Sequence, residues 1–231
     1  MNYLGGTLAA LLLLSSCHQA PIGPTQHESV HFDLDGSEIL RLDLKMGAGE
    51  LHIDSGSKYL AEADFTYNIS AWKPRVNYHS TGARSDLEIS QPEGPGGFGE
   101  TEYRWDVRLN ESKLTEVVAK LGAGEVQMNL GGLPLRNVEV NMGAGELKLD
   151  LRGNPKQSYD VRVNGGVGSA TIYLPKNVGI SATAAGGIGS IDTSGLEERN
   201  GRWVNPRELN SPVTVRVDVK GGVGEIKLIA E

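Results

Sequence analysis

Cysteine is almost absent from this sequence, with Cys17 the single one among 231 residues. An intramolecular disulfide is therefore excluded, and so are zinc sites built on paired cysteines. The five histidines show neither H-x-H nor H-E-x-x-H spacing, and no G-x-S-x-G motif occurs. The cysteine and the histidines therefore indicate no cofactor or metal site, and no motif indicates a catalytic residue.

Positive charge is also scarce, because 22 lysines and arginines face 29 aspartates and glutamates, for a formal net charge of -7. No basic cluster offsets this balance, which argues against a nucleic-acid partner. Long apolar runs are missing as well. The run at 8–14 is far shorter than the roughly 20 residues that cross a bilayer, but it suits the apolar part of a signal peptide.

The letters L-S-S-C at 14–17 resemble the bacterial lipobox, in which the cysteine receives a diacylglycerol. We therefore predict a lipoprotein signal peptide over 1–16 and a membrane anchor through lipid on Cys17. The alternative is an ordinary secretory signal with a chance cysteine. His18 follows the cysteine, which by resemblance to Gram-negative lipoproteins favours the outer membrane or the periplasmic side. The predicted location is the cell envelope.

Glycine is abundant, with 31 residues, and it recurs in variants of one phrase. The apolar positions alternate before each phrase, as at Leu40, Leu42 and Leu44, and resume one residue out of step after it, as at Leu51. We expect the inward series to continue into the phrase through Ala48. A slip of this kind indicates a corner between two strands, for which glycine is suited. The copies are M-G-A-G-E-L at 46–51 and 142–147, L-G-A-G-E-V at 121–126, G-G-V-G-S-A at 165–170, G-G-I-G-S-I at 186–191 and G-G-V-G-E-I at 221–226.

The spacing of the corners is nearly constant. The last glycine of the phrase stands at 124, 145, 168 and 189, which gives intervals of 21, 23 and 21 residues. A period in the twenties is typical of stacked repeats. Two strands, a corner and a return loop fill such a coil. We therefore predict an all-β fold, a parallel two-sided β-solenoid of ~21-residue coils with glycine-rich corners.

Two longer intervals interrupt the period. The first, from Gly49 to Gly124, holds further alternating segments and a loop at 92–100, and predicts an N-terminal insertion of antiparallel hairpins. The chain is thus divided into a signal at 1–16, a tether at 17–36, an N-terminal module with hairpins at 37–120 and solenoid repeats at 121–231. The second interval, from Gly189 to Gly224, inserts a segment on one rim. In this inserted segment, the candidate surface contact is Trp203, together with Arg202 and Arg207. The alternative is that Trp203 caps the open end of the solenoid.

Glu50, Glu125 and Glu146 occupy the same place after the corner, so stacked coils would align them as a column. Two interpretations stay open. The column binds a divalent cation through oxygen ligands, or the glutamates are solvated polar residues that leave the corner. A calcium nonapeptide is excluded, because its ligand aspartate is replaced by an apolar residue in each G-G-x-G copy.

Three segments carry a resemblance to a family. W-K-P-R-V at 72–76, W-D-V-R-L-N at 105–110 and the stretch 132–151 resemble the bacterial toast-rack domains, which include adhesin-like and LiaF-type cell-envelope domains and an N-terminal toast-rack module. The resemblance covers about 37–228. It implies a parallel β-solenoid, an envelope location and a role in interaction or stress response, and it supplies no catalytic residues.

The predicted function is a non-catalytic, lipid-anchored envelope protein that acts as a binding, scaffolding or stress-response module. Its partners would be the membrane, through Cys17, and another envelope protein or a glycan. The alternative is a β-helix enzyme acting on envelope or extracellular polysaccharide, an analogy that rests on fold alone.

Overall fold

The structure, a computed structural model, describes residues 21–94 and 100–231. The predicted signal peptide, Cys17 and most of the loop at 92–100 lie outside these residues. Among the described residues a single 3-10 turn, Ser70–Trp72, accompanies the strands, and no helix is long and apolar enough to cross a membrane. The strands are β1 Gln26–Phe32, β2 Ile39–Ser55, β3 Ala61–Tyr67, β4 Arg75–Thr81, β5 Arg84–Ser90, β6 Tyr103–Leu109, β7 Leu114–Asn129, β8 Leu135–Asp150, β9 Tyr159–Leu174, β10 Gly179–Ala185, β11 Ile188–Ser194, β12 Glu197–Arg199, β13 Arg202–Val204, β14 Thr214–Lys220 and β15 Val223–Ala230.

All of these strands belong to one 15-stranded sheet that folds over on itself. The four long strands β2, β7, β8 and β9 pair in parallel on both sides of their glycine phrase. We call the part before the phrase the first leaf and the part after it the second leaf. The pairs β10–β11 and β14–β15 repeat this arrangement in two shorter pieces. The predicted all-β parallel solenoid with glycine corners is confirmed.

The corners are held together by a close approach of backbones. Gly124 has φ 134°, and a Cβ added there would lie 1.8 Å from the carbonyl oxygen of Gly49 in the neighbouring coil. A Cβ on Gly122 would lie 2.3 Å from the carbonyl oxygen of Gly47. The same contact recurs from coil to coil, so both glycines are required by space and the second also by backbone conformation.

The N-terminal block extends both leaves of the solenoid. β5 pairs in parallel with the first-leaf half of β2, and β6 pairs with the second-leaf half. β4 adds to β5, and β3 and then β1 add to β6, all antiparallel, as the predicted hairpins require. The corner of β2 is closed by a side chain, because Gln91 Oε1 accepts a hydrogen bond from the Gly47 amide at 2.7 Å.

The predicted tether, 17–36, includes residues that form a strand of the sheet. Residues 26–32 form β1, whose burial alternates from residue to residue along its whole length. Each of its residues pairs with β3. The alternation is weak in sequence because polar Gln26 and Glu28 occupy two of the half-buried positions, so that only Val30 and Phe32 carry the apolar pattern.

The last two coils do not follow sequence order. β14–β15 lies between β9 and β10–β11, so the coil around Gly189 is the terminal one. Four residues, 175–178, carry the chain from β9 to β10 across two strand spacings of ~4.8 Å, and the strand formed later fills the gap. The rim insertion then forms the β12–β13 hairpin, which pairs with the outer edge of β10.

Apolar side chains from both leaves fill the interior, as the alternation predicts on either side of the corner. Leu40, Leu42, Leu51 and Ile53 are completely buried. The expectation for the corner itself is wrong: Ala48 and its equivalents are exposed, because the backbone turns there and aims the side chain away from the interior. Val223 and Ile188 are exposed for the same reason.

Replacing Gly124 by alanine should destabilise the protein by about 3 kcal/mol or more, because the new methyl group meets a carbonyl that the sheet holds in place. Gly82→Ala is the matched control. Gly82 also has a positive φ, of 59°, but nothing lies within 4 Å of its added Cβ, so we expect a loss of about 1 kcal/mol. Urea unfolding measures both. Equal losses would contradict the role of the close approach.

Candidate interaction surfaces

The predicted surface contact around Trp203 lies in the β12–β13 hairpin. Trp203 pairs with Ala182 of β10, is partly buried and packs against the hydrophobic core. Arg202 donates from Nε to Ser181 Oγ at 2.8 Å. Arg207 is exposed in the turn that follows, where its carbonyl accepts backbone hydrogen bonds. These positions favour the cap interpretation of Trp203, while a contact made by Arg202 and Arg207 stays a prediction.

The predicted carboxylate column exists. Glu50 pairs with Glu125 and Glu125 with Glu146 along the second leaf, and all three side chains are exposed. Equivalent positions in the next coils hold Ser169 and then Glu225, whose carboxylate contacts Lys227 Nζ at 2.8 Å. No group of three or more potential metal ligands forms among residues 21–94 and 100–231. The arrangement fits solvated carboxylates held in register by the strands.

A second set of charged side chains lies on the outer face of β1, β3, β6 and the adjoining half of β2. We call it the charged face, and its central residues are Asp106 and its two partners. Asp106 accepts hydrogen bonds from Arg104 Nε at 2.8 Å and pairs with His52 Nδ1 at 2.9 Å. Alternation along β6 places Arg104 and Asp106 on one side of the sheet, and register with β2 brings His52 beside them.

Neighbouring carboxylates on the charged face also have partners. Asp64 accepts from Ser29 Oγ at 2.5 Å and lies 3.6 Å from Arg108 Nη2. Partial burial acts to raise the pKa of Asp106, but the hydrogen bonds from Arg104 and His52 outweigh it and hold that pKa below its usual value. Asp106 is therefore ionised at neutral pH, which suits an ion-pair acceptor and does not suit a general acid.

Sequence reasoning missed this face because its members come from separate segments. His52 stands one residue after the inward Leu51, so its outward position could be inferred from the alternation. Its partner could not, since register between β2 and β6 joins positions 54 residues apart. The R-x-D spacing at 104–106 was the available signal for an outward ion pair.

The sequence matches the profile of the N-terminal domain of toast_rack, DUF2154, over residues 21–173. A solved structure from Clostridium sporogenes, provisionally named a cell adhesion protein, is 32% identical, with a TM-score of 0.87. The match covers 90% of this chain and 100% of that one.

Other solved structures are more distant. A provisionally named adhesin from Parabacteroides merdae is 14% identical with a TM-score of 0.31, covering 88% of this chain and 96% of that one. A provisionally named lipid binding protein from Parabacteroides distasonis is 11% identical with a TM-score of 0.32, covering 90% and 94%. Among curated proteins, none matches the chain.

Replacing Asp106 by asparagine should reduce stability at neutral pH, and the deficit should vanish in acid. Because the folded pKa is depressed, the stabilisation is fully present above the unfolded value of about 3.9 and is lost as pH falls through the folded pKa. Urea unfolding of wild type and Asp106→Asn at several pH values measures this. Arg104→Gln removes one of the bonds that lower the pKa, so its deficit should show the same trend. A deficit that stays constant into acid would contradict the assignment.

Proposed function

The chain belongs to the family of the N-terminal domain of toast_rack, and from this membership together with the lipobox-like letters at 14–17 we propose that it is a lipid-anchored binding module of the bacterial cell envelope that works without catalysis. The Clostridium sporogenes relative, with its provisional name as a cell adhesion protein, supports a binding role. The partner proposed is an envelope glycan or another envelope protein. A scaffolding or stress-response role would use the same contact.

The observation that carries the binding role is the charged face. Its donors and acceptors stand on four neighbouring strands, which fix their relative positions at the strand spacing of ~4.8 Å. Arg104, Asp106 and His52 are partly exposed, so their remaining hydrogen-bonding capacity faces solvent. A rigid array of this kind matches the repeated hydroxyl and amide groups of a polymer without any moving part.

Lipid on Cys17 is proposed as the anchor. The position of β1 supports this proposal, because Gln26 is the first residue of the sheet and Cys17 precedes it by nine residues. A stretch of that length reaches about 30 Å when extended, which is enough to hold the sheet next to a bilayer surface. We propose an outer-membrane or periplasm-facing position if the organism is Gram-negative.

The alternative, an enzyme acting on polysaccharide, finds one observation in its favour. The charged face brings Asp64, Asp106 and His52 together on an exposed surface, and glycoside hydrolysis uses a pair of carboxyl groups. Against it, one member of the pair must act as an acid with a raised pKa. The pKa of Asp106 is lowered, and Asp64 is engaged by Ser29.

Replacing Cys17 by alanine should move the protein from the membrane fraction to the soluble fraction, because the thiol that carries the lipid is gone. Labelling with a radioactive fatty acid in the native host, followed by fractionation, measures both effects. Ser16→Ala, which keeps a small residue before the cysteine, is the control. Label and membrane association that survive Cys17→Ala would contradict the anchor.

Binding and turnover can be separated in one preparation. We expect the protein to be retained on immobilised envelope glycans or to capture an envelope protein, and Arg104→Gln with His52→Gln to weaken retention several-fold, since two charge-assisted contacts are lost. Arg216→Gln, an exposed ion-pair change in the first leaf, is the matched control. Release of reducing ends that Asp106→Asn abolishes would overturn the non-catalytic proposal.

A further inference from the structure

Three large apolar side chains are exposed side by side on the corner edge. Val167, Val223 and Ile188 are the third residues of the G-G-x-G copies, and the register places them in adjacent coils, in that order. Their exposed fractions are 58%, 46% and 73%. The equivalent residues of the earlier coils are the alanines 48, 123 and 144. Exposed apolar side chains that adjoin one another form a candidate contact surface.

Because these three side chains are exposed, they add nothing to the hydrophobic core. In the same G-G-x-G copies the inward residue that opens the phrase is Gly165, Gly186 or Gly221, where the other copies have methionine or leucine. An apolar cavity of about 40 Å³ is left beneath the corner. Apolar volume has thus been removed from the interior and added to the outside of the same three coils.

The N-terminal segment leaves the sheet at the corner edge as well. Gln26 pairs with Tyr67, which pairs with Tyr103, and the Tyr103 carbonyl lies against Gly49 of the first corner. Before it, the Gly23 amide donates to the Asn68 carbonyl at 2.7 Å, and Ile22 is 44% exposed. The chain therefore runs toward Cys17 from the same edge that carries the apolar residues. Seven strand spacings, about 34 Å, separate β1 from β15.

The corner edge between these two ends carries charges of both signs in separate rows. On the first-leaf flank, Lys45, Lys120 and Lys220 stand in one row with two asparagines between them. On the second-leaf flank stands the row of Glu50, Glu125 and Glu146. Ammonium and carboxylate rows side by side complement the phosphate and ammonium groups of zwitterionic phospholipids, and they gain little from an anionic surface.

We propose that the corner edge lies on a zwitterionic phospholipid surface, held at one end by the lipid on Cys17 and at the other by Val167, Val223 and Ile188 inserted among the headgroups. This inference rests on the anchor of the proposed function. Once the lipid holds the chain, the apolar residues engage at high effective concentration, so a modest gain in burial suffices. The outer face of the second leaf, with its charged face, then stands upright from the bilayer and open to a partner.

The test uses two variants, one with a tryptophan added at the corner edge and one with a tryptophan added at the opposite end of the leaves. Ile188→Trp reports from the corner edge. Leu209→Trp is the matched control, because Leu209 is 77% exposed and follows Glu208, whose Cα lies beside Gly179 at the start of β10, at the opposite end. Each variant is attached to vesicles of phosphatidylethanolamine and phosphatidylcholine in which the acyl chains are brominated near the headgroup. Attachment uses the natural lipid or, independently, a maleimide lipid coupled to the single thiol of Cys17.

We expect the emission added by Ile188→Trp to be quenched by the brominated chains, and the emission added by Leu209→Trp to be unchanged. Adding Val167→Ser and Val223→Ser to Ile188→Trp should restore most of the lost emission, whereas adding Leu209→Ser should not. Thermal unfolding followed by circular dichroism confirms that each variant is folded. Equal quenching at the two ends, or none at position 188, would overturn the proposal.

Two further arms separate the causes of failure. Replacing most of the phosphatidylethanolamine by phosphatidylglycerol should reduce quenching at position 188, and stronger quenching there would overturn the assignment to a zwitterionic surface. The maleimide arm does not depend on acylation in cells. If Cys17 proves to be unacylated while quenching is seen in this arm, the proposed anchor fails and the corner contact stands. If Cys17 is acylated but no quenching is seen, the proposed anchor stands and the corner contact fails.

Discussion

The contact on which the structure depends is the approach of each corner glycine to the carbonyl oxygen of the coil before it. An added Cβ would lie 1.8 Å from that oxygen at Gly124 and at Gly168. Glycine has no side chain to hold neighbouring coils apart at this point. The coils therefore stack at the ordinary strand spacing through the corner as well as along the strands. Register cannot drift between coils, since a shift of one residue would place a side chain where only a glycine is tolerated.

Fixed register has a direct effect on the surface. Equivalent residues of successive coils become columns, which is why Glu50, Glu125 and Glu146 align and why Val167, Val223 and Ile188 do so. A column of carboxylates repels itself, but solvent screens the repulsion at an exposed edge. The same regularity brings His52 beside Asp106 at the join between the solenoid and its N-terminal block. The proposed contacts with a partner and with lipid both use order that the corners impose.

The ends of the stack need separate solutions, because a sheet that stops exposes unpaired backbone. At the first end, Gln91 supplies a side-chain oxygen to the Gly47 amide, and β5 and β6 extend the two leaves in parallel. Antiparallel strands then follow outside β5 and β6. At the last end, the β12–β13 hairpin covers the first leaf and Trp203 packs on the interior. The second leaf ends in β11, where Ile191 faces inward but is 37% exposed. The two leaves are thus capped unequally.

The sequence by itself determined the repeating unit, since alternation at Leu40 and Leu51 and the recurrence of glycine depend on a few neighbouring residues. It determined the fold class and the alignment of the glutamates for the same reason, and it indicated the family. Only the tertiary structure decided what depends on distant partners. The order of the last coils depends on the connection at 175–178. Its four residues place β10 two strand spacings from β9, and β14 later fills the position between them. The side chain of Ala48 points outward because the backbone turns at the corner. His52 finds Asp106 through a register that joins two separate strands, and no local pattern encodes such a register.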